Sequence, residues 1–132
     1  MNALRNAPLI LGGHSFIRQL GSDPHATEGE QAEIVAACLD QGMVTASAVT
    51  FIWTAVTYRM AWRYGQRGYR YLHLDAGHVG QNLYLTAEAL GLGAVAVAAF
   101  DDEAMNAACG LDGAERFVIY LAPVGRPVKS GD

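Results

Sequence analysis

The chain has 132 residues, is 52% hydrophobic and only 17% charged, and carries a formal net charge of -4. This composition excludes intrinsic disorder, a collagen-like fibre and a disulfide-stapled mini-protein, and the acidity excludes nucleic acid as a partner of the chain as a whole. So many apolar residues are hard to hide in one small monomer, and some are expected in the interface of an obligate oligomer.

Residues 1–27 are broken up by Gly12, Gly13, Gly21, Ser22, Asp23 and Pro24. They read as an irregular arm with a short strand near 8–11. The apolar stretch 7–11 is too short for a signal peptide, and the run 46–56 is too short to span a bilayer. A soluble, cytoplasmic protein is expected. Thr27 with Glu30 fits a capping box that opens a helix reaching Asp40, and Gly42 is expected to end it.

Residues 48–56 carry no charge and are rich in β-branched and aromatic side chains, which predicts a strand covered on both faces. A helix is predicted over 58–64, stopped near Gly65 and Gly68. Asp75 then offers a cap for a long helix with apolar positions at Val79, Leu83, Ala87 and Leu90, closed by Gly91 and Gly93. A short strand is predicted over 94–100 and a helix over 101–109, whose first-turn acids suit the helix dipole. A turn at Asp112-Gly113 leads to a last buried strand over 117–124. The order predicts one domain over 28–127 with a tail at 128–132, built as an α/β or α+β sheet with helices against it.

Arg59, Arg63, Arg67 and Arg70 are spaced by four, four and three, interleaved with Tyr58, Trp62, Tyr64, Tyr69 and Tyr71. On one continuous helix they would share a face. Two readings are open. Guanidinium groups bind anions and stack on flat rings, or the stripe is a structural cluster whose alkyl stems cover the sheet. His78, one turn beyond Asp75, is a proton carrier or simply a hydrogen-bonded packing residue. Cys38 and Cys109 have no metal spacing and read as inert buried thiols. No metal site is predicted, and the third glycine of a dinucleotide fingerprint is missing after Gly91-Leu92-Gly93.

Several segments together carry a likeness to one family. They are Thr54-Ala55-Val56, Tyr58-Arg59-Met60, Trp62-Arg63-Tyr64-Gly65, Arg67-Gly68-Tyr69-Arg70-Tyr71 and the run from Leu74-Asp75-Ala76-Gly77-His78 to Gln81-Asn82-Leu83-Tyr84-Leu85. Glu88-Ala89-Leu90-Gly91-Leu92-Gly93, Phe100-Asp101-Asp102, Gly110-Leu111-Asp112-Gly113 and Tyr120-Leu121-Ala122-Pro123-Val124-Gly125 follow. The series resembles the C-terminal half of the FMN-dependent nitroreductase superfamily, and most of all its SagB-type branch of thiazole- and oxazole-forming dehydrogenases. The likeness runs over residues 41–127.

The resemblance implies an α+β, nitroreductase-like fold around a central mixed sheet flanked by helices. It further implies an intertwined homodimer with FMN between the subunits and the long helix in the interface. It places Ala96, Val97, Ala98 and Ala99 beside the flavin ring, with a backbone N–H near N5, although relatives carry Glu-Gly where this chain has Ala98-Ala99. It matches Arg63 and Tyr64 to a catalytic Lys-Tyr pair. Arginine there can hold an anion but is a poor base, because it does not deprotonate, whereas Tyr64 can relay a proton. Arg126 falls where relatives place a basic residue near the FMN phosphate. The arginine-rich segment that grips this phosphate in full-length relatives has no match here, so the fold is expected to be truncated at the N-terminus.

The function expected from this likeness is an FMN-dependent oxidoreductase passing hydride through flavin N5, with a small molecule or peptide as substrate and NAD(P)H as a possible donor. The alternative is a non-catalytic half-domain that dimerises as a scaffold or completes another nitroreductase-like chain as a partner subunit. A third reading is a small anion- or nucleic-acid-binding module built on the arginine stripe.

Overall fold

The computed structural model describes residues 14–20 and 28–128 of the chain. The strand expected near 8–11, the Thr27 cap and residues 129–132 lie outside them. Strand β1 (His14–Leu20) is followed by helix α1 (Glu28–Ala37), short helix α2 (Gly42–Ala46), strand β2 (Val49–Val56) and helix α3 (Thr57–Tyr64). A 3-10 turn (Gly65–Arg67) leads into the long helix α4 (Gly68–Ala89), then strand β3 (Gly93–Ala94), helix α5 (Asp102–Ala108) and strand β4 (Arg116–Gly125). The strands lie in the order β1-β2-β4-β3.

All pairings among the described residues are antiparallel, which corrects the mixed sheet implied by the resemblance. Val56 pairs with Arg116 at one end of the β2–β4 ladder and Val49 with Val124 at the other. A bulge falls where Trp53 pairs with Tyr120 but Thr54 pairs with Val118. The extra residue, Ile119, packs with Ala55, Met60 and Leu72 on the α3–α4 face. Tyr120 serves that face too, tilted against Trp53 at 6.0 Å. Val118 and Leu121 instead join Ile52, Ile34, Cys38, Val44 and Met105 in the core under α1, α2 and α5.

The helices depart from the sequence reading at three places. Gly42 does not end a helix; it begins α2, because the chain has already turned through left-handed Leu39 (φ 56°) and Asp40 (φ 52°). Asp75 does not cap the long helix, which starts seven residues earlier at Gly68 without any side-chain cap. The arginine stripe is not one helical face, because Gly65 (φ 56°) and the 3-10 turn fold α4 back on α3. The strand expected over 94–100 shrinks to two residues plus an isolated bridge from Val97 to Leu121. β1 lies within the stretch 1–27, where the sequence carries no readable period.

The long helix seats itself through small residues. Its buried positions Gly68, Leu72, Ala76, Gly80 and Ala87 recur at four- and seven-residue steps and so form one face. A Cβ on Gly80 would stand 3.3 Å from Tyr120 Cε1, and one on Gly68 would stand 3.1 Å from both the carbonyl carbon and the Cβ of Met60. The Tyr120 ring can shift, whereas the Met60 backbone cannot move without α3. Gly68→Ala is therefore expected to destabilise the chain by about 1–3 kcal/mol, even though alanine is the better helix former. Thermal melting would register a fall of several degrees, and an unchanged Tm would refute the tight hairpin.

The connection from α5 to β4 turns on a single carboxylate. Asp112 Oδ1 accepts from the amides of Ala114 (2.8 Å), Glu115 (2.7 Å) and Arg116 (2.9 Å). These N–H groups, that of Arg116 foremost, hold the carboxyl below its ordinary value of 3.8. Since the folded chain binds the proton less readily than the unfolded one, the stabilisation is complete above the ordinary value and is lost as pH falls through the lower folded value. Asp112→Asn keeps an acceptor oxygen but no titrating charge. It should flatten the acid limb of the Tm–pH curve below about pH 4; a variant with the wild-type slope would show that the turn does not contribute.

Candidate functional site

The outer edge of β4 gathers most of the residues of interest. Beyond β3, whose Ala94 pairs with Val124, the chain stays alongside β4. Val95 N–H donates to the Pro123 carbonyl at 3.3 Å, Val97 N–H donates to Leu121 at 2.7 Å, and Leu121 N–H returns a bond to Val97 at 3.1 Å. Ala96 faces the other way, and its N–H donates to Tyr84 Oη at 2.7 Å. The Ala99 carbonyl accepts from Gln41 Nε2, also at 2.7 Å. Ala98 and Ala99 are exposed, and their amides donate to no group among the described residues. Neither side chain extends past a methyl group. The result is an exposed shelf at the sheet edge whose Ala98 and Ala99 N–H groups have no acceptor among the described residues.

Arg126 follows directly on Gly125, the partner of Gly93, and is exposed at the Gly93 end of this edge, five residues along β4 from Leu121, the partner of Val97. Val97 is different in character from its neighbours. It is buried, and both of its backbone groups are used by Leu121, so it anchors the shelf and has no polar group to offer a ligand.

Arg63 and Tyr64 stand elsewhere. They close α3, where Arg63 Cζ lies 5.7 Å from the centroid of the Tyr64 ring. Tyr64 in turn meets Tyr71 edge-on at 4.9 Å. Tyr71 and Tyr84 are thirteen residues apart on α4, about 20 Å along the axis. The arginine-tyrosine pair and the alanine shelf are therefore held at opposite ends of one helix and do not meet within one chain.

Around the pair, Tyr58 (71% exposed), Trp62 (67%) and Tyr69 (66%) stand in solvent. The segment 41–74 contains four arginines and no acid, while the rest of the chain has five basic residues against thirteen acids. A local positive, aromatic surface thus sits on an otherwise negative protein. Leu74 and Leu85 extend the exposed apolar surface along α4. Sequence reasoning singled out the arginines but had no means of seeing that both helices leave their aromatic residues uncovered.

The remaining candidates do not converge. His78 is exposed on α4, and His73 Nδ1 lies 2.8 Å from the carbonyl oxygen of Tyr69, four residues earlier. Cys38 is fully buried; that burial, and secondarily the neighbouring Cys109, push its thiol up to about 11. It remains protonated and has no nucleophilic part. Among the described residues no three His, Cys, Asp or Glu side chains are grouped to hold a metal ion, and no helix is long and apolar enough to cross a membrane. Sequence reasoning missed Gln41 and Tyr84, whose bonds to the shelf span 58 and 12 residues and leave no local signal.

Comparison with known proteins bears on the family and the fold. The signature described as the nitroreductase family matches residues 14–126. A Methanocaldococcus jannaschii protein named as a nitroreductase is 37% identical over 116 residues, which is 88% of this chain and 54% of that protein. A crystal structure from Anabaena variabilis, also named as a nitroreductase, superposes with a TM-score of 0.66 at 37% identity over 74% of this chain and 20% of that one. The NADPH:FMN oxidoreductase of Vibrio harveyi, solved with NAD+, superposes with a TM-score of 0.70 at 20% identity over 86% of this chain and 50% of that one; that likeness concerns the fold alone. The chain spans about half the length of its M. jannaschii relative. It belongs to the nitroreductase family, and its α+β fold is of the nitroreductase type.

Proposed function

We propose that this member of the nitroreductase family is an FMN-dependent oxidoreductase of the SagB-type dehydrogenase kind, with its site assembled between two chains. One observation carries the reading: the alanine shelf with the unspent N–H groups of Ala98 and Ala99. When bound, FMN would supply a hydride-accepting and hydride-donating N5 next to such a donor. The chain's own part is to bind and orient. A backbone N–H in a water-poor cleft favours negative charge developing on the ring, and Arg126 would hold the phosphate. Arg63 serves as a fixed cation for an anionic group, because a guanidinium does not give up its proton. Tyr64, whose ring centroid lies 5.7 Å from Arg63 Cζ, can hold and move a proton.

The placement of Arg63 and Tyr64 about 20 Å from the shelf along α4 supports a homodimer in which one chain lends the pair to its partner's shelf. The exposed aromatic and leucine side chains of α3 and α4 supply an apolar surface for that contact. The same separation supports a second reading, a half-domain that completes a different nitroreductase-like chain and need not bind flavin itself. In the first reading the substrate is a small molecule or peptide and NAD(P)H is the companion donor. That Cys38 and Cys109 form no disulfide is in keeping with a cytoplasmic setting.

Flavin uptake separates the readings. The purified chain, given excess FMN and freed of unbound ligand, is expected to retain about one flavin per chain by its visible absorbance and to run as a dimer by light scattering. Arg126→Ala should weaken FMN binding roughly tenfold or more, the usual loss for a charge-assisted hydrogen bond. A folded, dimeric protein that retains no flavin would overturn the enzyme reading and leave the half-domain.

A further inference from the structure

We propose that Gln41 and Tyr84 are positioning residues that clamp the shelf from both sides, so that the Ala98 amide is held outward as a donor. This deepens the reading above and rests on it where the ligand is FMN. Val95 and Val97 donate to β4, so by strand alternation the amides of Ala96 and Ala98 turn the other way. Tyr84 Oη takes the first of these at 2.7 Å. Having accepted that bond, the hydroxyl still carries its own proton.

At the far end, Gln41 Nε2 donates to Ala99 O at 2.7 Å and to Cys38 O at 2.9 Å. Both partners are carbonyl oxygens, so only the NH2 end of the amide can serve them, and both of its protons are used. The side chain is delivered by the left-handed turn at Leu39 and Asp40. A non-glycine residue in that region costs energy and persists where the surroundings fix it. The Asp101 N–H adds a bond to Ala37 O at 2.8 Å, so the end of α1 grips both flanks of residues 99–101. Between the clamps, the Val97–Leu121 pair prevents sliding. Ala98 is thus the position left without a partner while its neighbours are fixed on either side.

The test uses the full chain with Tyr84→Phe and Gln41→Met, each keeping size while deleting one clamp. Hydrogen exchange without flavin is followed in a peptide over 94–101, with one over 116–125 as the control for global opening. Each variant is expected to speed exchange in the first peptide about fivefold to tenfold, the worth of one hydrogen bond, and to leave the second unchanged. In the flavin-loaded protein each should weaken FMN binding several-fold and shift the flavin midpoint potential, which a merely structural role would not move. Unchanged exchange over 94–101 overturns the clamp. Faster exchange with wild-type affinity and potential overturns the positioning role. If the wild-type chain takes up no FMN, the reading above fails, and exchange alone then decides whether the clamped donor stands.

Discussion

The outer edge of β4 governs the arrangement of the whole chain. A strand inside a protein must find partners for its N–H and C=O groups along both edges. β2 satisfies one edge over its full length, but β3 is only two residues long. The rest of the outer edge is completed by unlike means. Val97 pairs with Leu121, and Asn106 Oδ1 reaches from α5 to accept the Val118 N–H at 2.8 Å in a buried position. The bulge at Ile119 lies between these two contacts and lets Val118 and Leu121 both serve the same core. Meeting this one requirement draws residues 93–99 and α5 to β4. The shelf at Ala98 and Ala99 is where the pairing stops.

What the sequence makes legible follows from how local each signal is. β2 and β4 can be read because their residues are uncharged, β-branched and aromatic. α5 can be read because Asp101 caps it with a side-chain bond to Ala104 N–H at 2.8 Å, a contact made within three residues. The start of α4 cannot be read in this way. It has no side-chain cap, and it is set by Gly68 pressing on Met60 eight residues earlier; Asp75, which has the composition of a cap, falls inside the helix. β3 was expected to be longer because residues 94–100 are as apolar as a strand, yet their pairing ends at Val97. The alanine shelf itself was accessible only through the likeness of its flanking motifs to a family. The clamps on it were accessible to neither route, since Gln41 and Tyr84 are ordinary residues until the fold brings them to it.

Charge separation adds a second level of organisation. The acids lie outside residues 41–74, where four arginines stand among exposed aromatic rings. Guanidinium over a ring, as Arg63 stands over Tyr64, is stabilised by the ring quadrupole and gains when water is excluded. In an isolated chain that gain is small, because Tyr64 is 44% exposed. It grows if the surface is covered by a second chain. The surface is therefore better suited to a covered state than to an open one.

The separation of the arginine-tyrosine pair from the shelf can be pressed further. Helix α4 runs unbroken over its 22 residues, and its small-residue face seats it on α3 at Gly68 and on β4 at Gly80. No bend in α4 can bring Tyr64 to Ala98 without breaking the Gly80–Tyr120 or the Gly68–Met60 contact. In the proposed homodimer the two ends are therefore united by association and not by a change of shape within one chain, and the exposed face of α4 spans the distance between them. A second chain laid along that face would put its own arginine-tyrosine end near the first chain's shelf whenever the two helices run in opposite directions. Antiparallel contact is also the arrangement in which identical surfaces satisfy each other across a twofold axis. On the proposed dimer, the length of α4 and the small residues that seat it become parts of one arrangement, in which each chain would offer a shelf at one end and an arginine-tyrosine pair at the other.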